Sequence, residues 1–139
     1  MATGYRVIDH TGDLGVEVEA PDFAELIRQA SLALTDTLVD LKSVGAGRTA
    51  RWTVEAGSEE GLLVAQLQEI LFRMDAEGMV FSDFKIDPIS ARSLGCIATG
   101  EPLDRERHGF KTEIKAVTYH GLEIETREGK KIVRIIFDV

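Results

Sequence analysis

Phe23, Leu26, Ile27, Ala30, Leu34, Leu38 and Leu41 recur at steps of three and four residues, and no other feature constrains the fold as much. The spacing predicts a long amphipathic helix whose apolar stripe must be buried against a sheet or a second helix. Pro21-Asp22 opens it, with Asp22 as the capping residue and Glu25, three positions on, completing a capping box. A second helix is predicted after Ser58. Leu62, Leu63, Leu67, Ile70, Leu71 and Met74 form its inner face, and Gly78 supplies the left-handed residue that ends it.

The rest of the chain has period-two patterning. Tyr5 to Asp9 is strand-like. Leu14, Val16 and Val18 alternate with Glu17 and Glu19, as in a half-buried strand. Arg51 to Ala56 reads as another. Strands are also expected at Met79-Val80-Phe81, Phe84-Lys85-Ile86, 93–100, 111–119, 122–126 and 131–137, with a tight hairpin turn at Glu128-Gly129. Helices crowd the first half, strands the second, and the short turns between strands favour antiparallel pairing. The expected fold is α+β: a single domain over 1–139, with a largely antiparallel sheet and two amphipathic helices packed on one face.

Sixteen Lys+Arg against 24 Asp+Glu give a net charge of -8. Phosphate binding draws on clustered positive charge, so strong direct binding to nucleic acid is not expected, whereas a basic protein partner is. Cys96 is the one cysteine, which excludes an intramolecular disulfide and reads as a small buried hydrophobe in a reduced, cytoplasmic protein. No apolar run approaches the roughly 18 residues of a membrane span, and the start of the sequence has no secretion-signal pattern. Phosphate-binding glycine loops, nucleophile elbows and Cys-x-x-Cys pairs are missing. Trp52, on a short strand, reads as packing.

Three clusters remain that could carry chemistry. Asp9-His10-Thr11-Gly12-Asp13 places two carboxylates and an imidazole together, either a polar turn or part of a divalent-cation site. Asp138 ends an apolar strand beside the Val139 carboxylate. If the strands carrying Asp13 and Asp138 are antiparallel neighbours, their carboxylates meet at one sheet edge, an oxygen-rich arrangement suited to Ca²⁺, Mg²⁺ or Mn²⁺. The third cluster runs Asp104-Arg105-Glu106-Arg107-His108 and on to Lys111, Glu113 and Lys115, which share one face of a strand. Its ordinary reading is a solvated face with charge pairs. His120 reads as structural.

Several stretches together resemble the archease family. They are Asp9-His10-Thr11-Gly12-Asp13-Leu14-Gly15, with Gly12 in place of the usual alanine, then Asp75 to Phe81, Lys111 to Leu122, and Ile136-Phe137-Asp138-Val139. The resemblance spans essentially the whole chain. It implies a non-catalytic accessory of an RtcB-type RNA ligase, promoting guanylylation and turnover of that enzyme in tRNA splicing and RNA repair. It also implies a bound divalent metal, calcium first, with Mn²⁺, Mg²⁺ and Zn²⁺ as alternatives. The metal ligands carry over to Asp13, Asp138 and Val139. Glu113 matches an acid needed for activation, and His10, Lys115 and Arg107 are grouped with it. Ala65 and Gln66 depart from the more polar or aromatic residues of the family. Two other readings stand beside this one: a chaperone of another RNA-modifying enzyme, such as a tRNA methyltransferase, and a metal-dependent hydrolase using Asp13 and Asp138 with His10 or His108 as base.

Overall fold

Both long helices begin at the side chains expected to cap them. The computed structural model describes residues 3–10, 13–119 and 121–139, and for Asp9, His10 and Asp13 the backbone alone. Helix α1 is Phe23–Leu38, and the Asp22 carboxylate accepts from the Glu25 N–H at 2.8 Å. The capping box is half made, because the Glu25 carboxylate accepts from Arg28 at 2.8 Å instead of reaching back to Asp22. Helix α1 stops before Leu41: Val39 turns extended, and Leu41–Ser43 forms a separate 3₁₀ turn capped by Asp40. Helix α2 is Glu59–Glu77, with Ser58 Oγ accepting from the Gly61 N–H at 3.0 Å and Gly78 closing it at φ 64°. That left-handed φ is where glycine has no steric penalty.

The strands are β1 (Gly4–His10), β2 (Asp13–Ala20), β3 (Arg48–Glu55), β4 (Met79–Ile89), β5 (Ser93–Pro102), β6 (Ala116–Val117), β7 (Glu125–Arg127) and β8 (Lys130–Asp138). Every pairing is antiparallel, and the α+β class holds. The expected single sheet is two sheets. One has the order β1-β2-β8-β6, with β7 also on β8; the other is β3-β5-β4. Helix α1 packs on β2 of the first sheet and on β4 of the second. It is therefore buried on most of its surface and not along a stripe alone. Its hydroxyls tolerate this because each bonds its own helix: Ser31 to the Ile27 carbonyl at 2.8 Å, Thr35 to Ser31 at 3.2 Å, Thr37 to Ala33 at 2.8 Å.

The second sheet closes over a buried polar network. Trp52 Nε1–H donates to Gln66 Oε1 at 2.8 Å, and the Gln66 amide donates to Ser31 Oγ at 3.3 Å and Cys96 Sγ at 3.5 Å. Trp52 is packing, as expected, with the Arg73 guanidinium 4.7 Å from its ring. Cys96 is buried, and burial pushes its thiol up to about 11, an unreactive state. Strand β4 carries a bulge between Phe81 and Asp83, against Gly100 on β5. A Cβ at Gly100 would stand 2.0 Å from the Val80 carbonyl oxygen, so only glycine fits there.

Two expected strands shrink. Of 111–119, only Ala116–Val117 joins a ladder, because the Lys111 N–H donates to the Leu38 carbonyl (2.8 Å) at the end of α1. Of 122–126, only the end enters β7, since the Ile124 N–H is taken by the Glu60 carboxylate at 3.0 Å. The hairpin at Glu128-Gly129 matches its expectation, with φ 51° and 78° joining β7 to β8 as a type I′ turn requires.

Candidate functional site

Strand register assembles one end of the first sheet. β2 runs against β8 with Val18 opposite Val133 and Leu14 opposite Phe137. One residue further on, the backbones of Asp13 and Asp138 lie at the same end of the sheet. β1 reaches that end through the His10–Asp13 pair. β6 reaches it from the other side, with Ala116 opposite Asp138 and the Lys115 N–H donating to the Asp138 carbonyl at 2.7 Å. The topology thus brings the backbones of His10, Asp13, Asp138 and Lys115 to one sheet end.

Phe137 is 1% exposed, which ties β8 down to its penultimate residue. The Asp138 side chain is exposed, and among the described residues its carboxylate has no hydrogen bond or ion pair. Val139 is 47% exposed. These are hard oxygen donors, the type a Ca²⁺-class cation takes. Among the described residues no group of three or more His, Cys, Asp or Glu stands ready to hold a metal. The side chains of Asp13 and His10, and all of His120, lie outside them.

Residues 103–115 form an arm without ladder pairing. Ile114 is its buried anchor at 3% exposure, and Lys111, Glu113 and Lys115 are exposed around it. Their shared exposure survives although the strand does not. Arg107 stands elsewhere: its guanidinium pairs with the Glu101 carboxylate at 3.0 Å and reaches the Ser43 carbonyl at 3.5 Å.

His108 falls in a solvated charged run by sequence, yet it is fully buried. Its Nδ1 accepts from the Asp104 N–H at 2.9 Å, which places the ring proton on Nε2. That Nε2–H donates to Glu101 Oε2 at 2.7 Å. The same oxygen accepts from the Gly45 N–H at 2.7 Å. The Gly45 N–H, then His108, then Arg107 hold the Glu101 carboxyl down to about 2. The Asp40 N–H bonds the His108 carbonyl at 2.8 Å, so one imidazole residue joins β5, the loop after α1 and the arm. With both ring nitrogens committed and no exposure, His108 cannot serve as a hydrolase base. The surrounding Asp, Arg and Glu residues mask this role in the sequence. The one local signal is Asp104 as a turn former, its carboxylate accepting from the Arg107 N–H at 3.0 Å.

Between the arm and the helices lies a cleft of about 100 Å³. Leu38, Leu71, Met74, Leu103, Phe110 and Ile114 make its apolar walls, and Asp75, Arg105 and Glu113 add its charged groups. Glu113 therefore belongs to this cleft, and Lys115 to the sheet end.

The model of the archease protein family matches residues 5–139. The archease of Methanopyrus kandleri is 36% identical over 138 residues, covering 97% of this chain and 99% of that protein. The archease of Pyrococcus furiosus is 33% identical over 136 residues, covering 94% and 95%. The solution structure of Methanobacterium thermoautotrophicum protein 1598 superposes with a TM-score of 0.83 at 32% identity, covering 98% of this chain and 99% of that one. The crystal structure of a Thermotoga maritima protein described as an archease and possible chaperone shares the fold, with a TM-score of 0.68 at 18% identity over 96% of each chain.

Proposed function

The chain belongs to the archease family, and on that premise we propose that it is a non-catalytic accessory protein of an RtcB-type RNA ligase. In this reading it promotes guanylylation and turnover of the ligase in the cytoplasm, during tRNA splicing and RNA repair. The observation that carries the reading is the β2–β8 register, which draws the Asp13 and Asp138 backbones to one sheet end. The chaperone description of the Thermotoga protein agrees with an accessory role.

Asp13, Asp138 and Val139 would hold a divalent cation, calcium first. When bound, the cation supplies the positive charge that lets these carboxylates sit together. The protein's part is positional. Buried Phe137 and the Lys115 N–H on the Asp138 carbonyl keep the end of β8 from fraying. Lys115 and His10 stand at the same end along the backbone, with Glu113 two residues before Lys115, whereas Arg107 is held away from that end on Glu101. An acidic edge on a chain of charge -8 is complementary to a basic, RNA-handling enzyme.

The test is transfer of GMP to the purified ligase, followed with and without this protein and with or without Ca²⁺ or Mn²⁺. Faster ligase-GMP formation, lost on chelation and in Asp138→Asn, is the expected result. An unchanged rate at stoichiometric protein defeats the ligase reading.

A further inference from the structure

We propose that the cleft between the arm and the helices receives a basic side chain, arginine or lysine, from a protein partner. The aliphatic stem would lie on the apolar walls and the cationic head at Asp75 and Glu113. The inference rests on the ligase reading for its partner and names a contact that partner would make.

Size comes first. Small-molecule pockets commonly hold about 300–1,000 Å³, whereas a water molecule occupies about 30 Å³. At about 100 Å³ the cleft takes one side chain and excludes a nucleotide. Its walls are anchored by Leu38, Leu71, Met74 and Ile114, all of them core residues. That surface suits the methylene stem of a long basic side chain.

Charge selects the occupant. Four of the acids on α2 have partners: Glu59 bonds Lys131, Glu60 the Ile124 N–H, and Glu69 and Glu77 share Arg73. Asp75, the fifth, has none among the described residues, and it is the one that lines the cleft. Glu113, across on the arm, has none either. The cation already present, Arg105, is engaged with a wall, its guanidinium 4.2 Å from the Phe110 ring centroid. Phe72, 59% exposed, lies on α2 one turn before Asp75 and gives an incoming surface an apolar contact beside the cleft. In protein interfaces a few buried anchors carry most of the binding, and arginine is among the residues enriched in that role.

The test measures affinity for the purified ligase by calorimetry. Asp75→Lys and Glu113→Lys should each weaken binding about tenfold or more, because a like charge then faces the anchor. Asp75→Glu should stay within about twofold, and Arg105→Ala should not weaken binding. Should Asp75→Lys fail to fold, as judged by circular dichroism, Asp75→Asn gives the same reading with a smaller loss. Wild-type affinity in the Asp75 variants overturns the inference and leaves the ligase reading intact. Weakening by Arg105→Ala alone also overturns it, since the anchor would then be acidic. If the wild type binds no ligase, the ligase reading falls and the cleft is judged on a second probe. Millimolar N-acetylarginine amide should shift the methyl resonances of Leu71 and Met74 in the wild type but not in Asp75→Lys. No shift in the wild type overturns the inference on its own.

Discussion

The β3-β5-β4 sheet and the arm at 103–115 both lie against α2, and they are held in opposite ways. In the sheet, β5 is paired along both edges, and Gln66 ties the layer to the helix through bonds that nothing exposes to water. The load is spread over a ladder. The arm has a few separate fastenings instead: His108 on Glu101, Lys111 on the Leu38 carbonyl, buried Ile114, and Lys115 on Asp138. A ladder fails as a whole, whereas separate fastenings fail one at a time. The residues proposed for partner contact, Glu113 and Lys115 among them, sit where local movement leaves the core standing.

Substitutions should separate the two regimes. The largest effect belongs to Gly100→Val. Its side chain has no room against the Val80 carbonyl, and chemical denaturation should show a loss of more than about 3 kcal/mol. A loss under about 1 kcal/mol would mean that the bulge yields and that the sheet is no stiffer than the arm. Gln66→Leu keeps the volume but leaves the Trp52 indole N–H unpaired. It should cost about 2 kcal/mol and lower the protection of amides throughout the sheet. His108→Asn retains an acceptor near Nδ1 and loses the donor to Glu101. It should cost about 1 kcal/mol, with faster hydrogen exchange confined to 104–111. Exchange that rises equally in β5 would erase the distinction between ladder and arm.

Acid gives a further comparison. Glu101 is held from 4.5 down to about 2, so its contribution is complete above pH 4.5 and is lost as pH falls toward 2. Glu101→Gln should flatten that part of the melting-temperature profile and leave the neutral side parallel to wild type. The smallest stability change is expected for exposed Glu113→Ala, within about 0.5 kcal/mol, combined with reduced ligase stimulation. Loss of fold would make Glu113 structural.

The local devices are legible in the sequence by itself. Asp22, Ser58 and Gly78 act within one helical turn of themselves, and Glu128-Gly129 acts within one hairpin, so residue chemistry suffices. The division into two sheets is not legible, because it depends on which distant strands pair, and period-two alternation in β5 or β8 reads the same whichever neighbour is taken. Lys111 to Val117 misleads for a related reason. Alternation around Ile114 is what a strand shows, yet the same pattern arises when one apolar side chain pins an irregular segment whose N–H groups go elsewhere. His108 is hidden because its partners, Glu101 and Gly45, come from outside its own turn. At the sheet end, Asp138 and Lys115 are joined by a register at which the apolar run of β8 only hints.

The pairing of β2 with β8 also has a bearing on time. Val18 and Val133 are roughly 115 residues apart, and closing a loop of that length costs about 4 kcal/mol of chain entropy before any contact forms. At about 5–20 residues per second, a ribosome needs roughly 6–23 s to make the chain between them. Throughout that interval β1 and β2 can pair while the other edge of β2 waits with its backbone groups open. The helices and the β3-β5-β4 sheet, whose strands are closer neighbours in sequence, can assemble first and give α1 a surface to rest on. The candidate partner-binding end of the molecule therefore cannot form until β8 has been made, and a nascent chain stalled before Lys130 would present an unpaired strand in its place.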